Sequence, residues 1–135
     1  MSKGIPTIQK FMTCDPVSIV GRSSIAEAQS LMKEKNIRHL PVMDGGKVIG
    51  IISDRDIHQA TSLLDVKPNK VAVEDICPTH VYATSPETPL DYVADEMARH
   101  HYGSAVVLDN GKLVGIFTTV DACTALAQIL RQRHH

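Results

Sequence analysis

The stretch Gly50-Ile51-Ile52-Ser53-Asp54-Arg55-Asp56 returns 65 positions later as Gly115-Ile116-Phe117-Thr118-Thr119-Val120-Asp121. Each copy reads as the end of a buried strand that runs into the first turn of a helix. A glycine stands three residues before a hydroxyl, and a carboxylate three residues after it. Such a junction offers unpaired backbone N–H groups and the positive end of a helix dipole, which suits a phosphate or another anion. The hydroxyl can cap the helix or donate to a phosphate. The aspartate brings two acceptor oxygens, enough for both hydroxyls of a ribose. The competing reading is capping alone, since Ser, Thr and Asp are ordinary first-turn residues. Repetition of the whole pattern weighs toward function.

The repeat extends outward. Shifting the sequence by 65 aligns residues 7–57 with 72–122 without a gap. Asp44, Gly46 and Lys47 fall on Asp109, Gly111 and Lys112, and Met32 falls on Met97. Each repeat opens with a lead-in, Ile8 to Met12 or Val73 to Cys77. A short extended segment follows, Val17 to Val20 or Val81 to Thr84. Helix starts come next: Ser24-Ile25-Ala26-Glu27 fits a capping box, and Thr88-Pro89-Leu90-Asp91 puts Pro at the first helical position. Ile25, Ala28 and Met32, like Leu90, Val93 and Met97, form a stripe for packing on a sheet. Apolar runs around Asp44-Gly45-Gly46-Lys47 and Asp109-Asn110-Gly111-Lys112 read as hairpins. A last helix from about Val120 to Arg131 carries Ala125, Leu126 and Ile129 on an apolar side.

The predicted fold is therefore α+β, with tandem β-α-β-β-α repeats at 7–60 and 72–125 joined by a connection at 61–71. Each repeat is too small to bury a good core alone. The two are expected to pack with pseudo-twofold symmetry, their helix-start motifs facing clefts between them.

Composition bounds the function. The 135 residues are 43% hydrophobic and 21% charged, ordinary for a globular protein. With no Trp and only five Phe and Tyr, the core must be aliphatic. A net charge of −1 argues against holding nucleic acid by bulk electrostatics. No apolar run approaches the ~18 residues of a membrane span, and Met1 to Pro6 lacks the apolar core of a secretory signal. Cys14, Cys77 and Cys123 are odd in number and widely spaced, which fits reduced cytoplasmic thiols better than disulfides or zinc. The His100-His101 pair and the tail His134-His135 show no ligand spacing, so no metal is expected. No nucleophile–base pair is visible, and neither catalysis nor a catalytic cofactor is expected.

Met12-Thr13 followed by Asp15-Pro16, Ile37-Arg38-His39-Leu40-Pro41-Val42 and the Gly50 to Asp56 stretch, together with the duplication, resemble a cystathionine-β-synthase (CBS) domain pair, or Bateman module, over about residues 7–125. The resemblance implies regulatory binding of AMP, ADP, ATP or S-adenosylmethionine in clefts between repeats, and a homodimer. It implies that Asp56 and Asp121 hold ribose hydroxyls, with Ser53 and Thr118 beside ribose or phosphate. Arg38 and His39, just before the strand at Leu40, match positions that face the phosphates, with Ile37 and Arg55 in the same ligand-binding set. Asp15, Pro16 and Val17, and His80, Val81 and Tyr82, line the adenine side. These sites are composite in the family, so the aspartate of one repeat can face the lead-in of the other.

The two sites are unequal. Where the first repeat has Arg38, His39 and Arg55, the second has Gly103, Ser104 and Val120. A phosphate needs charge-assisted donors, so the first set makes the better anion site. About six residues precede the first repeat and about ten follow the second, so output is expected in trans, on an unidentified protein target, or through the oligomer. The expected function is an adenine-nucleotide sensor; the alternatives are a dimerisation module with vestigial sites or an S-adenosylmethionine binder.

Overall fold

A computed structural model describes residues 4–133, so the tail His134-His135 lies outside the described residues. In chain order the elements are β1 (Thr13–Cys14), β2 (Ile19–Val20), α1 (Ile25–Lys35), β3 (His39–Asp44), β4 (Lys47–Ser53), α2 (Asp54–Leu63), β5 (Ala83–Thr84), α3 (Leu90–His100), β6 (Ser104–Asp109), β7 (Lys112–Thr118) and α4 (Thr119–Arg133). The two lead-ins are 3-10 turns, Ile8–Lys10 and Val73–Asp75. The fold is α+β, as the repeat pattern predicts.

The chain divides into two compact units: a continuous one, Val17–Val81, and a split one assembled from residues 4–16 and 82–133. The continuous unit holds a three-stranded sheet ordered β2-β3-β4. Strand β2 runs parallel to β3, and β3 pairs antiparallel with β4. The split unit holds a four-stranded sheet ordered β1-β7-β6-β5, with β5 parallel to β6. Its extra strand, β1, comes from the first lead-in and runs antiparallel to β7, with Thr13 opposite Ile116 and Cys14 opposite Gly115.

Local chemistry explains the elements. Gly45 and Gly46, with φ of 58° and 82°, close the β3–β4 hairpin. Asn110 and Gly111, at 51° and 80°, close the β6–β7 hairpin. Two successive left-handed residues are what a two-residue turn between right-twisted strands requires. Ser24 caps α1 through the reciprocal pair with Glu27, as the sequence predicts. At α3, Pro89 falls on the cap itself rather than the first helical position. It offers its carbonyl to Val93 N–H at 3.2 Å and has no N–H to leave unpaired. Helix α2 continues to Leu63.

Each unit has its own aliphatic core. Ile25, Ala28 and Met32 of α1 meet Leu40, Val42 and Ile52 of the continuous sheet, with Ile57 of α2 and Val73 and Cys77 of the second lead-in. In the split unit, Leu90, Val93 and Met97 of α3 meet Ala105, Val107, Phe117 and Ala125, with Ile8 of the first lead-in. On α4, Ala125 and Ile129 face this core, whereas Leu126 is exposed. Residues four apart share a helix face, and the next residue is turned about 100° away.

Candidate functional site

The two strand-to-helix junctions have almost the same internal geometry. Ser53 caps α2: Asp56 N–H donates to Ser53 Oγ at 3.1 Å. In return Ser53 N–H and Oγ both donate to Asp56 Oδ2 at 2.9 Å. At α4, Thr118 N–H and Oγ1 donate to Asp121 Oδ2 at 2.9 and 3.3 Å, and Asp121 N–H donates to Thr118 Oγ1 at 3.4 Å. Capping is thus real in both copies. It consumes only one oxygen of each aspartate and fixes where the other points.

The lead-ins explain the glycine of the motif. A Cβ at Gly50 would come within 2.6 Å of the Pro78 carbonyl oxygen and 2.8 Å of Cys77 Sγ. At Gly115 it would meet Met12 Sδ at 2.5 Å. Each strand glycine makes room for a lead-in segment lying across it, and by sequence that segment belongs to the other repeat. The site residues consequently sort by unit rather than by repeat. Val17, Ile37, Arg38, His39, Ser53, Arg55, Asp56, His80 and Val81 belong to the continuous unit, and Asp15, Pro16, Tyr82, Thr118 and Asp121 to the split unit.

Two of the three basic residues line one groove, and the third lies outside it. Arg38 Nη1 donates to Asp54 Oδ2 at 3.0 Å, an exposed ion pair. Arg38 and Arg55 line a groove of about 610 Å³ with Lys33, His58 and Thr61, over a floor that includes Met32 and Ile57. His39 is not part of that groove's lining. It sits in register opposite Ser53, half-buried. Burial holds its imidazole below the ordinary 6.5, against the pull of the Asp54 and Asp56 carboxylates in the other direction. At neutral pH it offers a neutral ring.

A CBS domain family model matches residues 8–62 and again 73–128. The chain belongs to the CBS domain family. It is 32% identical over 123 residues to the L-aspartate semialdehyde sulfurtransferase of Methanocaldococcus jannaschii, matching 90% of this chain and 23% of that enzyme. The chain therefore spans about a quarter of that relative's length. It is 27% identical to the CBS domain-containing protein YhcV of Bacillus subtilis, covering 96% of this chain and 99% of YhcV. Among solved structures, the CBS domain pair of protein MJ0100, in complex with 5′-methylthioadenosine and S-adenosyl-L-methionine, superposes with a TM-score of 0.83 at 29% identity, covering 93% of this chain and 98% of that one. CBSX2 in complex with AMP gives 0.77 at 26% identity, covering 92% and 98%.

Within this CBS pair, several residues beside the junctions escape a reading by motif. Asp54 neutralises Arg38 across the β3–β4 hairpin, a pairing that sequence spacing does not reveal. Met12 and Cys77 are equivalent under the shift of 65, and only the glycines opposite them hint at contact. Burial and the nearby Asp56 push the Cys77 thiol up, which favours its protonated form. Tyr82 stacks on Tyr102 with ring centroids 5.0 Å apart, and Tyr102 stacks on His100 at 5.1 Å. The Tyr82 hydroxyl is buried without a hydrogen-bond partner among the described residues. No cluster of metal-ligating side chains occurs among the described residues. No described helix is long and apolar enough to cross a membrane.

Proposed function

We propose that this CBS pair is a regulatory module that binds an adenosine ligand through Asp56 and Asp121 and reports occupancy to a protein target in trans, with no catalysis of its own. The observation that carries the reading is the state of Asp56: capping holds its Oδ2, while Oδ1 accepts no hydrogen bond among the described residues. That oxygen sits at a helix start beside the second lead-in, as a ribose hydroxyl needs. MJ0100 and CBSX2, which carry adenosine compounds, support the ligand class. The free thiols Cys14, Cys77 and Cys123 fit a cytoplasmic protein. Exposed Leu63, Leu64, Val120, Leu126 and Leu130 fit a homodimer.

AMP, ADP and ATP form the leading ligand set, with Arg55 and, once released from Asp54, Arg38 as phosphate partners. S-adenosylmethionine is the second reading. It is favoured by the MJ0100 complex and by the Arg38–Asp54 pair, which occupies the charge that a phosphate would use. A thermal-shift panel of AMP, ADP, ATP, S-adenosylmethionine, 5′-methylthioadenosine and NAD decides. A ligand at 100 times its dissociation constant adds about 2.7 kcal/mol. Asp56→Ala or Asp121→Ala should each lose about 1.5–3 kcal/mol of binding at its own site. A panel with no shift would leave a dimerisation module with vestigial sites.

A further inference from the structure

We infer that Thr13 sets the order in which the two sites fill, by occupying the Asp121 carboxylate that a ribose needs. This rests on the reading of the two aspartates as ribose clamps, and adds a residue which that reading does not contain. Thr13 Oγ1 donates to Asp121 Oδ1 at 3.2 Å and lies 3.5 Å from Oδ2. With Thr118 on Oδ2, both oxygens of Asp121 are engaged within the protein.

At Asp56 the corresponding lead-in residue, 65 positions on, is Pro78. Its place is equivalent in space as well: Met12 lies over Gly115 as Cys77 lies over Gly50, so the next residue is Thr13 in one unit and Pro78 in the other. Proline has neither a hydroxyl nor an N–H to donate. Asp56 Oδ1 therefore meets no donor from this lead-in position, and it accepts no hydrogen bond among the described residues.

The backbone reinforces the difference. Strand β1 is paired with β7, and Asp15 N–H donates to the Val114 carbonyl at 3.1 Å, so Thr13 is held on an anchored segment. In the continuous unit, Ile51 N–H donates to the Pro78 carbonyl at 3.2 Å, and no strand forms there. A ligand reaching Asp121 competes with the Thr13 hydroxyl for Oδ1, whereas at Asp56 no hydroxyl from the lead-in stands in the corresponding place. The Asp56 site fills first, and the Asp121 site responds at higher concentration.

The test is calorimetry on the full chain with AMP and with S-adenosylmethionine, which carry the same ribose diol. Asp56→Ala isolates the Asp121 site, and Asp121→Ala isolates the other. In the Asp56→Ala background, Thr13→Val should tighten binding about three- to tenfold, the range expected for one displaced hydrogen bond. Thr13→Ser, which keeps the hydroxyl, should bind like the parent. In the Asp121→Ala background, Thr13→Val should change nothing. Unchanged or weaker binding in the Asp56→Ala, Thr13→Val protein, with melting curves that show it folded, overturns the inference while leaving the adenosine reading intact. If neither these two compounds nor ADP, ATP or 5′-methylthioadenosine binds the wild-type chain, or if both aspartate variants bind like the parent, the adenosine reading falls and this inference falls with it.

Discussion

The continuous and split units are built on one plan, and the features they share differ in kind from those that set them apart. Shared are the left-handed hairpin turns, the strand glycine under a lead-in, and the hydroxyl–aspartate cap. These are set by backbone geometry, where one wrong residue costs a turn or a cap. The contacts around them differ. Thr13 reaches Asp121 where Pro78 cannot reach Asp56, and Arg38, His39 and Arg55 stand where the split unit has Gly103, Ser104 and Val120. Tyr82 and Tyr102 stack where the continuous unit has Val17 and Ile37. The duplicated scaffold keeps the residues that make its turns and caps, while the side chains around them have diverged.

The largest test of this comparison is at the glycines. Gly50→Ala drives a methyl group against the Pro78 backbone carbonyl, which can move only with its chain. Gly115→Ala meets the Met12 thioether, three rotatable bonds from its backbone. Overpacking costs about 1–3 kcal/mol. Gly50→Ala should lie at or above the top of that range and Gly115→Ala near the bottom, as read from urea denaturation. Equal losses, or a greater loss at Gly115, would mean that the two lead-ins yield alike.

The glycines also mark how much of the molecule the sequence discloses. The repeat, both hairpins, the Ser24–Glu27 box and the α1 and α3 core stripes rest on local rules of turn, cap and period, and they are legible in the chain. The family follows from the same residues. The assembly of the units is another matter. Residues 7–16 look like the opening of the first repeat, yet β1 adds its hydrogen bonds to β7, about a hundred residues away. Nothing local in Met12-Thr13-Cys14 names Gly115 as a partner, although the family resemblance implies composite sites. For the same reason the candidate set omits Thr13 and Asp54, whose partners lie 108 and 16 residues away. Motif reading finds residues that are alike in the two copies, and these two act where the copies differ.

A second, smaller test concerns the aromatic stack of the split unit. The Tyr82 hydroxyl is buried with no hydrogen-bond partner among the described residues, and burial pushes its pKa up, so it stays a phenol. An unsatisfied buried hydroxyl costs about 1–3 kcal/mol, part of which Tyr82→Phe should recover. The variant should be neutral to about 1 kcal/mol more stable, the stack on Tyr102 being retained. Destabilisation instead would show that the hydroxyl has a partner in solution. Weaker ligand binding at unchanged stability would show that the partner is the ligand. The continuous unit, with Val17 in place of Tyr82, has no counterpart to this effect.

The smallest effect is a pH response confined to the continuous unit, since the residue equivalent to His39 is Ser104. Burial of the His39 ring disfavours its charged form, and the Asp54 and Asp56 carboxylates only partly offset this, so its folded pKa lies below 6.5. Between that value and 6.5 the unfolded chain binds the extra proton, and in this interval stability rises with pH. The contribution is therefore complete above 6.5 and is lost as pH falls through the folded pKa. Melting curves from pH 8 to pH 5 should show His39→Gln flattening the acid limb of the wild-type profile, with little change at pH 8. An anionic group bound beside the ring reverses the sign for binding. A phosphate stabilises the imidazolium, raises its pKa and makes AMP bind with proton uptake, more tightly at pH 5.5 than at pH 7.5. S-adenosylmethionine, whose sulfonium is cationic, should show no such gain through this residue. Wild-type and His39→Gln proteins with parallel stability profiles would remove His39 from the titration. Parallel AMP affinities with the stability difference intact would remove it from the phosphate alone.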